Sequence, residues 1–301
     1  MNPPISSSAS LDPRTKELLD QARTLVNRPL DSRLSALAIP LYEKAIQIEP
    51  AQARIHVELA TVQHQLGLIK EAHTSLQNAC KLRPDSIGIQ WIGCVLEISL
   101  CYRNTDEINV ARKAYQSKLK ILLDRVRSAN NDQLAAASWA VNYAKPFFLP
   151  FQNQNDCELQ GLYGEIICPI MAATFKDSAE RENAPLRANE KIRLGVVSAH
   201  IRSHSVWRVI LKGWLACLGN EEFELTIYSL SNLEDEETKQ ARTSSQKFLS
   251  GNRSVSDWRD LIIADKQHAL IYPEIGMDVK TLQLAALRLA PFQCATWGHS
   301  T

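Results

Sequence analysis

The spacing of apolar and polar positions changes once along the chain. Before about residue 190 apolar residues recur at helical intervals, and after Lys191 short β-branched runs alternate with amphipathic stretches. Ile192–Val197 is nearly continuous in apolar residues, as a strand covered on both faces of a parallel sheet should be, and Gly195 keeps its backbone slim. Further strands are predicted at Phe223–Ser229, Ala269–Tyr272 and Gln293–Trp297, with helices at Val206–Leu218, Glu236–Phe248, Ser256–Ala264 and Val279–Leu289. Such alternation implies a parallel sheet with crossover helices. In the helix after the first strand, Ser205 is the expected cap and Gly219 the stop, and Val209, Ile210, Trp214 and Cys217 form the expected buried face. Trp207 and Trp214 fall seven apart on that helix and read as packing residues.

The first half repeats itself. Ala38, Tyr42, Ala45, Ile48 and Pro50 recur 34 residues later as Ala72, Leu76, Ala79, Leu82 and Pro84, which is the tetratricopeptide period. Small alanines let antiparallel helices approach, and each proline ends a unit. Ala60 and Gly67 fill the small positions between helices, and a third, degenerate unit starts at Asp85. Residues 105–145 continue as helices until PFFLPFQ (146–152), where two prolines break the pattern and three phenylalanines can staple neighbouring elements. Asn155 and Glu158 suggest a capping box for a helix striped by Leu159, Leu162, Tyr163, Ile166 and Ile170, and Lys176–Glu190 reads as a linker.

These readings divide the chain into a disordered tail (1–30), tetratricopeptide-like helical repeats (31–130), a helical connector (131–190) and an α/β region (191–301). The α/β region stops directly after a strand, so an incomplete domain is expected. Composition narrows the classes further. With 34 basic against 33 acidic residues the net charge is +1, which gives no bulk attraction to nucleic acid or an anionic membrane. The N-terminus lacks the basic and apolar regions of a secretory signal, and the most apolar stretch, Ile87–Tyr102, is too short for a span of about 20 residues, so a cytoplasmic location is expected. Seven cysteines without a C-x-x-C pair argue for a reducing compartment and against a zinc knuckle, most of them being small core residues.

The candidate chemistry lies in the segment KIRLGVVSAHIRSHSVW, 191–207. His204 falls at the mouth of the helix after the first strand, where open α/β sheets bind ligands and helix N-termini favour anions. A neutral imidazole there can donate, accept or shuttle a proton. Arg202 is a candidate for phosphate or an acceptor carboxylate, and His299 follows the last strand on the same side. His200 precedes His204 by four with no third ligand in view, so no metal site is expected. Glu274 and Asp278 flank Gly276 just past the third predicted strand and are a weaker acid/base candidate. No G-x-G-x-x-G or Walker motif follows the first strand, which disfavours dinucleotide oxidoreductases and P-loop nucleotidases.

Several strings in one order carry a resemblance: Pro146–Gln152 with Glu158–Ala173, RLGVVSxxxRxHSVW, KGWL at 212–215, IYPEIGMD at 271–278 and LRLAPFQCATWGH at 287–299. Together they cover most of residues 145–301 and resemble the bacterial SPINDLY-like branch of the O-linked N-acetylglucosamine transferases. The resemblance implies tetratricopeptide repeats followed by the Rossmann-like N-terminal half of a GT-B glycosyltransferase. It implies inverting transfer from a UDP-sugar to protein serine or threonine without a metal ion or other cofactor. His204 matches the family histidine of the first strand-to-helix loop, with His299, Arg202, Gly276 and Met277 as substrate-binding positions. Many relatives have a glycine followed by histidine where this chain reads Gly276-Met277, so a second base there is in doubt. The repeats would receive protein or peptide acceptors, and the UDP-sugar would be held mainly by a second domain that this sequence does not contain. Residues 1–301 alone are then expected not to turn over. The alternatives are an N-linked glucosyltransferase of the same broader family and a non-catalytic repeat adaptor.

Overall fold

The structure is a computed structural model that describes residues 11–26, 32–175, 187, 190–218 and 221–296. Two compact units, Met1–Gln152 and Asn153–Thr301, divide the chain. The expected connector is therefore split. Residues 131–152 belong to the helical unit and the rest to the sheet unit.

The helical unit is built of hairpins. Helices α1 (Pro13–Val26), α2 (Ser32–Ile48), α3 (Ala53–Gln65) and α4 (Ile69–Leu82) pack in sequence, followed by α5 (Ile87–Val95), α6 (Thr105–Ser128) and α7 (Asn131–Ala137). Helix α1 corrects the expected tail over 1–30. Its Leu19 and Ala22 are buried in one cluster with Ala38, Tyr42, Ala45, Ile55, Leu59 and Val62, so its apolar stripe has a partner. The repeated positions behave as the period requires, since Ala38, Ala45, Ala72 and Ala79 are all buried. Ile48 and Leu82 recur too but remain 42% and 37% exposed, because each falls in the last turn of its helix. Gly67 is needed for a different reason than close packing. Its φ of 76° turns the chain between α3 and α4, and a Cβ there would meet no atom within 4 Å. Glu58, on α3 and nearly buried, is held by Arg23 at 2.8 and 2.9 Å, by Arg54 at 3.3 Å and by the Tyr143 hydroxyl at 3.3 Å. Phe147, Phe148 and Phe151 cluster with ring centroids 5.2–6.4 Å apart, as the staple reading expects.

In the second unit, α8 (Cys157–Thr174) begins one residue later than a capping box of Asn155 and Glu158 requires, and Asn155 Oδ1 accepts from Cys157 N at 2.9 Å. It packs against α12 (Val279–Ala286). Five parallel strands follow: β1 (Ile192–Ser198), β2 (Phe223–Ser229), β3 (Lys247–Ser250), β4 (Ala269–Tyr272) and β5 (Phe292–Ala295), in the order β3-β2-β1-β4-β5. One face carries Leu194, Val196, Leu225 and Ile227 under the helix after β1 and under α10 (Glu236–Thr243). The other carries Tyr228, which meets Trp258 of α11 (Val255–Ala264) edge to face at 6.3 Å. Gly195 is tight as expected, since a Cβ there would lie 2.6 Å from Leu270 and 2.9 Å from Tyr228.

Three further expectations need correction. The predicted helix Glu236–Phe248 ends at Thr243, where the Ser244 and Ser245 hydroxyls bond back to the Gln240 and Ala241 carbonyls, and the chain then forms β3. The helix after β1 is not one α-helix. Val206–Leu211 is a π turn that runs on into α9 (Lys212–Cys217). The wider turn moves the buried face onto Val206, Trp207, Ile210, Leu211 and Leu215, leaving Val209 64% and Trp214 40% exposed. The cysteines, third, are mostly outside the core. All seven are free, but only Cys94 is buried, and Cys101, Cys157, Cys217 and Cys294 are exposed. Gly219 lies outside the described residues, as does most of Lys176–Glu190. Among the described residues no helix is long and apolar enough to cross a membrane.

Candidate functional site

The strand order has one switch point. β1 pairs with β2 on one side and with β4 on the other, so the loops leaving β1 and β4 open beside each other at the carboxyl end of the sheet. Residues 199–205 form the first loop and 273–278 the second.

The first loop is anchored by three bonds, one from the second loop and two from the start of α10. Ala199 N donates to Glu274 Oε1 at 2.6 Å, reaching across to the second loop. Ser203 N donates to Asp235 Oδ2 at 2.7 Å, and the Thr238 hydroxyl donates to the Ile201 carbonyl at 2.7 Å, both from the start of α10. Backbone donors, Ser203 N foremost, hold the Asp235 carboxyl below the usual range. Just beyond the loop, Trp207 Nε1 donates to Glu237 at 2.6 Å, and Lys212 pairs with the same carboxylate at 2.9 Å.

Within this loop the two histidines stack, with ring centroids 4.0 Å apart and planes 12° from parallel. Ser205 already has helical angles, φ −57° and ψ −42°, and makes no side-chain cap. His204 takes the part expected of it, because His204 Nδ1 accepts from Val206 N at 3.2 Å. A neutral imidazole accepting at Nδ1 carries its proton on Nε2, which leaves His204 an N–H to donate. Burial and the Arg202 guanidinium lower its pKa. Burial, His204 and Arg202 together push His200 down to about 4 against a smaller opposing pull from Asp278. Both rings are therefore neutral at pH 7. Arg202 Nε has no hydrogen-bond partner among the described residues. A guanidinium and a neutral N–H donor at the switch point suit an anionic or developing oxyanionic group.

Stacked rings hold their lone pairs in nearly parallel planes, so His200 and His204 do not converge on one ion. Among the described residues no group of three or more His, Cys, Asp and Glu side chains could hold a metal.

The second loop turns on Gly276, whose φ is 95°, with Met277 N donating to the Glu274 carbonyl at 3.1 Å. Met277 is partly buried and packs against the core cluster that contains Leu194 and Trp207. Asp278 caps α12 by accepting from Thr281 N at 2.9 Å, and Glu274 is wholly buried with its pKa raised by burial to about 8. The two are thus a helix cap and a buried neutral acid. His299 lies outside the described residues. Sequence reasoning did not identify Asp235, Thr238 or Glu237 as loop anchors. The only signal was Asp235 three residues before Thr238, the spacing of a helix start.

No family model and no curated protein sequence matches the chain. Among solved structures it is similar to a lysine-to-methionine mutant of the Thermobaculum terrenum O-GlcNAc transferase, with 16% sequence identity and a TM-score of 0.47. That alignment covers 95% of this chain and 50% of the other, so the chain spans about half the length of that protein.

Proposed function

We propose that the chain is the acceptor-side half of an inverting protein glycosyltransferase that moves N-acetylglucosamine from its UDP donor to serine or threonine hydroxyls. The observation that carries this reading is the coincidence of sequence strings and topology. RLGVVSxxxRxHSVW and IYPEIGMD, two strings on which the family resemblance rests, run through the two loops that flank the switch point of the sheet. His204 and Arg202 stand in the first of these loops, and Gly276 and Met277 in the second. In this reading the helical hairpins receive acceptor proteins, and a second domain completes the cleft around UDP.

The acceptor oxygen bonds to the anomeric carbon from the face opposite the diphosphate. The carbon–oxygen bond to the diphosphate breaks, its electron pair leaves with the diphosphate, and the proton of the acceptor hydroxyl passes to an oxygen of that departing diphosphate. With Nδ1 engaged by Val206 N, His204 serves as a donor to an acceptor or diphosphate oxygen and does not take that proton. Arg202 supplies the positive charge beside it.

The test is transfer by the full-length native protein from UDP-N-acetylglucosamine or UDP-glucose to protein acceptors, read by acceptor mass. The reading expects addition of one N-acetylhexosamine, with His204→Ala lowering kcat about 10²–10³-fold, the usual cost of losing one such donor. His204→Asn, which keeps an N–H but cannot titrate, should retain more. Equal loss in both variants would make His204 a base instead, hexose addition would favour the glucosyl alternative, and no transfer from either donor would refute the transferase reading.

A further inference from the structure

The transfer reading gives parts to His204 and Arg202 but none to Glu274, a wholly buried carboxyl two residues past β4. Burying an acid is costly, and an apolar residue of similar size would fill the space without that cost. Its bonds run along the edge of the cleft. Oε1 accepts from Ala199 N at 2.6 Å, the first residue beyond β1. The Ser198 hydroxyl lies close enough to ease the burial of the same carboxyl, and that hydroxyl accepts from His200 N at 3.0 Å. His200 in turn stacks on His204 at 4.0 Å. On its other side the Glu274 carbonyl accepts from Met277 N and closes the turn through Gly276. Oε2 makes no full hydrogen bond among the described residues, so the group is only partly satisfied.

β1 and β4 already pair through Leu194–Val196 and Ala269–Ile271, so the sheet does not need this bond to hold its register. The bond instead joins the two loops just beyond that pairing. We infer that Glu274 is a positioning residue that latches the loop after β1 to the loop after β4 and so fixes the His200–His204 stack at the cleft. What that cleft is used for rests on the transferase reading; the latch itself does not.

Because burial keeps the carboxyl protonated at neutral pH, the neutral amide of glutamine is its proper mimic. It can still accept from Ala199 N. The experiment is side-chain ¹⁵N NMR of the histidines across pH in the whole chain, with resonances assigned by substitution of each histidine. Glu274→Gln should leave His200 titrating near 4 and His204 as an Nδ1 acceptor. Glu274→Ala should raise the His200 midpoint by about one pH unit or more as the stack opens and its burial is lost, and should erase the Nδ1-acceptor signature of His204. If Glu274→Ala does not fold, Glu274→Met, which keeps the volume but no acceptor, is read in its place. The latch is overturned if Ala or Met lowers the melting temperature while both histidines titrate as before, which is what a purely packing role predicts. It is equally overturned if Gln shifts them as far as Ala. Failure of the transferase reading would appear elsewhere, as an inactive full-length protein whose histidines still respond to Glu274.

Discussion

The buried Glu274 makes a quantitative prediction about stability against pH. Its pKa is raised from an ordinary 4.5 to about 8, chiefly by burial, with Asp278 adding to the shift and the Ala199 N–H and Ser198 hydroxyl opposing it. Between those two pH values the folded chain holds a proton that the unfolded chain has released. Its contribution to stability is therefore complete below about pH 4.5, falls as pH rises, and levels off above about pH 8. At about 1.4 kcal/mol per pH decade the fall amounts to roughly 5 kcal/mol. The group is wholly buried, so little of this is lost to solvent screening, and the amount is comparable with the whole stability of many domains. Glutamine does not titrate, so Glu274→Gln removes the slope. Other groups, including His200 with its opposite sign, are common to both proteins and cancel in the difference. Urea unfolding from pH 4.5 to pH 9, followed by hydrogen exchange in peptides spanning β1 and β2, reports on the sheet unit alone. The stability of the variant relative to the parent should rise by several kcal/mol across that range. A difference that stays flat would mean that the carboxyl is ionised or reached by water in the folded state.

Two further changes test the packing. Gly195→Ala would drive a methyl into Leu270 and Tyr228, at 2.6 and 2.9 Å, and should cost about 1–3 kcal/mol in urea unfolding, whereas Gly161→Ala, in the interior of α8 with no atom within 4 Å, should stabilise by about 0.5–1 kcal/mol. Asp235→Ala removes both the cap of α10 and the anchor of Ser203 N, and should cost about 1 kcal/mol while speeding hydrogen exchange across 199–205 more than in α11.

β1, β2 and β4 were legible because they carry β-branched and aromatic runs, and Phe223–Ser229 and Ala269–Tyr272 fall where they were read; the last strand, read at Gln293–Trp297, lies at Phe292–Ala295. β3 was not legible. Its four residues follow a helix-favouring stretch with no glycine or proline, and the break comes from serine hydroxyls competing for backbone carbonyls. The π turn left no trace in the pattern either, since an i→i+5 ladder shifts the buried face without changing which residues are apolar. The place of His204 and Arg202 in the loop after β1 was legible because a strand followed by a polar stretch and a helix marks such a loop. The burial of Glu274 and the role of Asp235 depend on which strand lies beside β1, and a local pattern does not carry that information.

The position of β1 in the middle of the sheet also bears on how the unit is assembled during synthesis. The strands that flank it on one side, β2 and β3, follow it closely in the chain, whereas β4 and β5 are made only later. A growing chain can thus complete the β1–β2–β3 half while the opposite edge of β1, carrying Leu194 and Val196, still lacks its neighbour. Until Ala269–Tyr272 emerges, that edge is the most apolar open strand in the unit and its natural point of mispairing with another nascent chain.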